Sequence, residues 1–315
     1  MAYLFVHFKE KNTPDGEQVY FGISRDGFIW QAVNNSQPML WSYFGDKGVR
    51  DMTITRTTAG KYVILATDLS LSYGMKGRYQ GSWQRIKELG SQQLVKWESR
   101  DLMIWSMQEM KTVADGDLGC VWAPDIIYDR KKKDYVVHWS APSAASWYMK
   151  MGIYYNRTKD FKRFSKPQLL YEKADTSVID SAIYEEDGKY YLFVKSDSNP
   201  ETIILLTAAE ITGPYERVQA FDECMAHLEQ GQYEAPTVIK LKDGRWYLFL
   251  DYYGAKTAEG HGYVPFVADS LASGRFEPCK EAFSFPYGFK HGTIIEIAEE
   301  EYERLAAYGA EVSAS

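Results

Sequence analysis

The sequence is poor in cysteine. It has three in 315 residues, Cys120, Cys224 and Cys279, far apart and without a C-x-x-C pair. That spacing argues against a disulfide framework and against a thiolate zinc site. Long apolar runs are also missing: none approaches the ~18 uncharged residues a membrane-crossing helix needs, so no membrane partner is expected. There is no excess of positive charge. Thirty-six Lys and Arg against 43 Asp and Glu give a formal net charge of −7 and a pI near 5.4. Nucleic-acid binders normally carry a basic face, so no nucleic-acid partner is expected, and a neutral or cationic small molecule fits better. Met1 to Phe8 contain no basic segment and no small-residue cleavage site, which leads to the expectation of a cytoplasmic protein. With 45% hydrophobic and 25% charged residues, the composition is that of a globular chain and not a disordered one.

What the sequence has in excess is aromatic residues, 15% with 9 Trp and 24 Tyr. Sugar-binding clefts and twisted β-sheets both use such rings, and composition does not separate the two. The length is about twice the roughly 150 residues usual for one core, which leaves two domains or one repetitive architecture. A repeat decides between them. Strand-like runs centred on Tyr62, Tyr135, Tyr190 and Trp246 recur at intervals of 73, 55 and 56 residues, each after a polar turn such as Asp187-Gly188 or Asp243-Gly244. Ten to twelve residues before each lies a carboxylate, Asp51, Asp125, Asp180 and Glu234, at intervals of 74, 55 and 54. A polar turn running into an aromatic, Ser24 to Trp30 and Ser99 to Trp105, repeats in part at Asp160 to Phe164. Each repeat therefore holds about four antiparallel strands, the pattern of propeller blades.

The fifth landmark is His291, 57 residues after Glu234. No partner strand follows it, because Ala298 to Ala307 is rich in helix formers. The Tyr3 to Phe8 run supplies the missing strand. The expectation is an all-β, five-bladed β-propeller whose fifth blade is closed by N-terminal and C-terminal strands, with a short C-terminal helix and a single domain over residues 1–315. Closure removes exposed sheet edges. Thr67 to Gly90 is left as an insertion in the first repeat.

Innermost strands of a propeller run alike around a central channel, so residues at equivalent positions converge on one funnel. Crowded carboxylates repel, resist ionisation and take different pKa values, a pattern associated with function. Glycosidic hydrolysis needs that equipment: one protonated carboxyl for the leaving oxygen and one ionised carboxylate to act on water or on the sugar.

The ordered set Arg50-Asp51, Trp122-Ala123-Pro124-Asp125, Ile179-Asp180, Glu234-Ala235-Pro236 and His291-Gly292 resembles glycoside hydrolase family 43, over nearly the whole chain. The resemblance implies a five-bladed propeller and an inverting mechanism acting mainly on α-L-arabinofuranosides and β-D-xylosides. It implies Asp51 as general base, Asp125 as the residue that tunes and orients the acid, and Glu234 as general acid. Asp180 and His291 match positions lining the same channel, and His291 matches a histidine that in some members contacts a central cation or water. The sequence departs from the family at Met52 and Ser181, where many members have proline, and at Ala235, where many have glycine. The lack of the β-sandwich domain appended to many xylosidases of the family tilts the expectation toward arabinofuranosidase.

An aspartate opening a strand is ordinarily a turn residue, and only the phased set outweighs that reading. Among the aromatics, Trp83, Trp122, Trp139, Trp147 and Tyr252 are candidates for stacking on sugars, although inter-blade packing explains most propeller rings. Trp122, Trp147 and Tyr252 are selected because they adjoin the catalytic segments or the blade loops. With Asp180, His291 and Arg50 they form the expected substrate-binding set. No cofactor is required, and a structural calcium or sodium ion in the central channel is left open. A glycoside phosphorylase, using Arg50, Lys195, Lys290 and His291 for phosphate, and a non-catalytic sugar-binding propeller are the alternatives.

Overall fold

The computed structural model describes residues 1–9, 13–198, 201–227, 232–253, 262–285 and 290–309. Its strands follow the β-branched and aromatic runs of the sequence and are separated by the polar turns. The chain opens with β1 (Ala2–His7), β2 (Tyr20–Ser24) and β3 (Gln31–Ala32). The first complete blade is β4 (Val49–Arg56), β5 (Tyr62–Asp68), β6 (Gln93–Ser99) and β7 (Glu109–Thr112). The second is β8 (Trp122–Asp129), β9 (Asp134–Pro142), β10 (Met151–Thr158) and β11 (Gln168–Tyr171). The third is β12 (Val178–Glu186), β13 (Lys189–Ser196), β14 (Thr202–Ala208) and β15 (Glu216–Arg217). The fourth is β16 (Tyr233–Lys240), β17 (Trp246–Tyr252), β18 (Gly262–Ala268) and β19 (Glu277–Pro278). The last strand, β20 (Thr293–Ile297), pairs antiparallel with β1, so the fifth blade runs β20-β1-β2-β3. The expected propeller and its closure by both ends of the chain are what the structure has.

The ring is held by five apolar clusters, one at each junction between neighbouring blades. Leu4, Val6 and Ile64 join the fifth blade to the first, and Tyr3, Phe5, Tyr247 and Phe249 join the fourth to the fifth. Leu65 with Val137 and Trp139, Val136 with Leu192, and Phe193 with Leu248 make the other three. Each fully buried Leu, Ile or Phe contributes about 1.5–3 kcal/mol. These junctions absorb most of the aromatic excess.

The repeated polar turn is one physical motif. Asp26 accepts from the backbone N–H of Phe28 and Ile29 at 2.8 and 2.9 Å, and Asp101 accepts from Met103 and Ile104 at 2.9 Å each. The indoles of Trp30 and Trp105 then bond the carbonyls of Gly27 and Leu102.

One boundary differs from expectation. The insertion in the first blade begins at Leu69, because Thr67 still pairs with Leu94 in the sheet. It carries α1 (Trp83–Leu89), capped by the Ser82 hydroxyl. A second helix, α2 (Gln219–His227), follows β15. The C-terminal helix α3 (Glu299–Ala307) is locked by Glu301, which accepts from Ala298 N–H at 2.8 Å and from the buried Tyr62 hydroxyl at 2.6 Å.

Candidate active site

The innermost strands β4, β8, β12 and β16 each carry a bulge near their first residues. At the bulge stand Asp51, Ala123, Asp180 and Ala235, with φ of 49°, 48°, 54° and 55°. This left-handed region is one that non-glycine residues adopt at a cost and that bulges use to re-aim side chains. Asp51 and Asp180 are thus equivalent to each other. Glu234 stands one residue before its bulge and Asp125 two after. The four carboxylates taken above as equivalent therefore sit at three levels, and the repeat phase conceals this because it is blind to shifts of one or two residues.

Asp51, Asp180, Glu234, His291, Arg50 and Trp122 line one cavity of about 120 Å³, together with Phe8, Leu69, Trp83 and Ile179. Asp125 does not line it. It lies farther along β8, where Thr53, its equivalent on β4, donates a 2.7 Å hydrogen bond to its carboxylate. His138, fully buried on β9, lies behind Asp125 with Nε2 3.9 Å from the carboxylate, while its Nδ1 meets the Ser181 hydroxyl at 2.7 Å. Tyr252 is outside the cavity as well: its ring meets that of Tyr233 at a tilt, centroids 5.2 Å apart, and packs into the junction of the third and fourth blades. Trp147 is 85% exposed on the β9–β10 loop, away from the cavity wall. Trp83 is the reverse case, a ring weighed above as packing that forms part of the wall.

His291 joins the carboxylates. Its Nδ1 is 3.3 Å from Asp51 and 3.9 Å from Asp180. Burial opposes the imidazolium, but Asp180, the contact with Asp51 and the charge of Glu234 outweigh it and raise the group to about 9. Burial alone would raise Asp51 too. The His291 contact and charge, with Arg50 beside it, hold it below its ordinary range, so it is ionised at neutral pH. Asp180 goes the other way: burial, with Glu234 and Asp51 close by, lifts it to about 6 despite His291. Burial lifts Asp125 to about 6 against the Thr53 bond. Gly292 allows this arrangement, because a Cβ there would lie 1.9 Å from the Val6 carbonyl oxygen.

Glu234 faces two buried lysines, Lys195 at 3.2 Å and Lys290 at 3.6 Å. Each has a carboxylate of its own, Glu201 at 3.3 Å for Lys195 and Asp251 at 2.7 Å for Lys290. Each ammonium group is thus shared between Glu234 and a second carboxylate. Both lysines also stand in the alternative phosphate-binding set, and which carboxylates they serve depends on strand register. Arg50 is set by Glu17, a wholly buried carboxylate 3.2 Å away that also accepts from Ser70 Oγ and from the N–H of Leu71 and Ser72. Nothing in the sequence around Glu17 announced this role.

The described residues hold no group of three or more His, Cys, Asp or Glu placed to bind a metal. The positive charge facing Asp51 and Asp180 is the imidazolium of His291.

A five-bladed ring that brings an ionised aspartate and a glutamate to one small cavity has the equipment of a glycoside hydrolase. The family described as "Probable glycosyl hydrolase domain" (Glyco_hydro_43_rel) matches residues 1–303, and the chain belongs to it. An α-L-arabinofuranosidase from Bifidobacterium longum subsp. longum is 28% identical over 215 residues, 60% of this chain; the match spans only 19% of that relative's length. The GH43 protein BlXynB from Bacillus licheniformis has a similar structure, with TM-score 0.62, 13% identity, and coverage of 94% of this chain and 56% of that one. An α-L-arabinofuranosidase from Lactobacillus brevis aligns with TM-score 0.56 at 15% identity, covering 85% and 82% of the two chains.

Proposed function

We propose that the protein is an inverting, exo-acting glycosidase that releases a terminal pentose, an α-L-arabinofuranosyl unit before a β-D-xylosyl one, from short oligosaccharides derived from plant polysaccharide. The observation that carries this reading is the pair of carboxyl groups on one cavity wall: Asp51, kept ionised by His291, and Glu234, set against the Lys195 and Lys290 ammonium groups. The arabinofuranosyl preference draws on the B. longum relative.

In the proposed reaction, Asp51 takes a proton from a water molecule as its oxygen bonds to the anomeric carbon. The glycosidic C–O bond breaks with its electron pair staying on the leaving oxygen, which receives the Glu234 proton. Asp51 ends protonated and Glu234 ionised, and exchange with solvent restores both. We assign the tuning role to Asp180 in place of Asp125. Asp180 lines the cavity, accepts from Ala235 N–H at 3.3 Å beside Glu234, and responds to the Glu234 charge. Asp125, bonded to Thr53, is then a channel residue that holds the inner strands in place. Attack by water between the two carboxyls requires them about 6.5–9.5 Å apart.

The test is sugar release from chromogenic α-L-arabinofuranoside and β-D-xyloside in phosphate-free buffer. Asp51→Asn is expected to lower kcat by about 10²–10⁴-fold with KM little changed, the range for a lost general base. Wild-type turnover that depends on added phosphate would replace this reading with phosphorolysis.

A further inference from the structure

We propose that the insertion of the first blade, with the β9–β10 loop it grips, forms an outer subsite for the sugar units on the leaving-group side of the scissile bond. This deepens the glycosidase reading and rests on it. Trp83, the first residue of α1, is 49% exposed, lines the cavity, and meets Trp122 edge to face at 6.0 Å. The next residue, Gln84, donates through Nε2 to the backbone carbonyls of Trp147 and Tyr148 at 3.2 and 3.3 Å. The most exposed tryptophan among the described residues is therefore tied through its backbone to the residue that follows Trp83.

Neither indole is exposed because its support is loose. Beneath α1 the side chains of Tyr79 and Ile86 are wholly buried, and the Tyr79 hydroxyl donates to Asp46 at 2.5 Å. The end of α1 is pinned where Cys120 N–H donates to the Lys87 carbonyl at 2.9 Å. Close passage there needs Gly119, whose Cβ would stand 2.0 Å from that carbonyl. The Trp147 loop is closed by its own backbone bonds, Trp147 N–H to the Ala144 carbonyl and Tyr148 N–H to the Ser143 carbonyl. Large indoles held in water on a rigid frame leave apolar surface exposed and gain nothing for the fold. The C–H faces of sugar rings stack on such indoles, and continuity with the cavity through Trp83 makes the remainder of the same oligosaccharide the occupant.

The experiment compares wild type with Trp147→Ala on two substrates: a chromogenic aryl α-L-arabinofuranoside, which needs only the cavity, and xylotetraose bearing one arabinofuranosyl branch. The expected result is aryl-glycoside kcat/KM within twofold of wild type and about tenfold lower kcat/KM on the branched tetraose, through KM, largely restored in Trp147→Tyr. Equal losses on both substrates, or none on either, would overturn the subsite. So would a change in oligomer size by light scattering with an unaltered substrate preference, which would give the patch to a second copy of the chain. If wild type cleaves neither substrate, the glycosidase reading fails by itself. Tryptophan-fluorescence titration with the same tetraose then decides the subsite: saturable quenching that is lost in Trp147→Ala supports it, and no quenching of wild type rejects it.

Discussion

At the scale of single residues, the chemistry turns on how two nearly equivalent aspartates are kept apart. Asp51 and Asp180 share a bulge position and a left-handed backbone, yet one lies below its ordinary range and the other at about 6. His291 is the reason, sitting 0.6 Å closer to Asp51, at 3.3 against 3.9 Å. The folded chain holds its imidazolium to about pH 9, whereas an unfolded chain releases it near the ordinary 6.5. Its stabilisation is therefore complete below pH 6.5 and is lost as pH climbs through 9, on the order of 3 kcal/mol in full. Asp125 and Asp180 act in the same direction lower down, since ionising them inside the protein costs stability as pH rises from about 4 through 6. The melting temperature is expected to fall between pH 6.5 and 9 in wild type and much less in His291→Gln; parallel curves would show that another group titrates. His291 was legible as the fifth landmark, but its charge was not, because the carboxylates that set it come from blades far away in sequence.

At the scale of elements, the bulges are the decisive feature. Ala235, just after Glu234, is buried and held at φ 55°. An L residue there pays about 1–2 kcal/mol, and glycine, the residue many relatives of the resembled family have, does not. Ala235→Gly is therefore expected to keep activity and raise stability by up to about 1 kcal/mol, part of the gain being offset by the freer unfolded chain. Ala235→Val should lower both, since a β-branched residue tolerates this backbone least. Chemical denaturation of the two variants checks the pair. The landmark spacing of the sequence showed that four inner strands exist, and it was right about their number and order. It was silent on register: the bulge residues recur at 72, 57 and 55, and the carboxylates at 74, 55 and 54. Those offsets of one and two residues separate a cavity carboxylate such as Asp180 from a channel residue such as Asp125.

At the scale of the whole molecule, closure is the controlling fact. β20 brings His291 to the ring, pairs with β1 from Ala2 to Val6, and completes the junctions on either side of the fifth blade. Deleting residues 293–315 leaves β1 as a bare edge and opens both junctions, so loss of a cooperative melting transition and association through the open edge are expected by circular dichroism and gel filtration. A deleted form that melts like wild type would mean the ring does not need its closing strand. The sequence alone determined the blade number and the closing strands, because β-branched and aromatic runs and the polar turns before them are local and repeat. Only the tertiary structure decided that Trp83 lies in the cavity wall while Tyr252 packs between blades, that Lys195 and Lys290 meet Glu234, and that Glu17 sets Arg50. Those are contacts between side chains about 20 to 60 residues apart, and ring closure and one-residue bulges, neither written in any local pattern, bring them together.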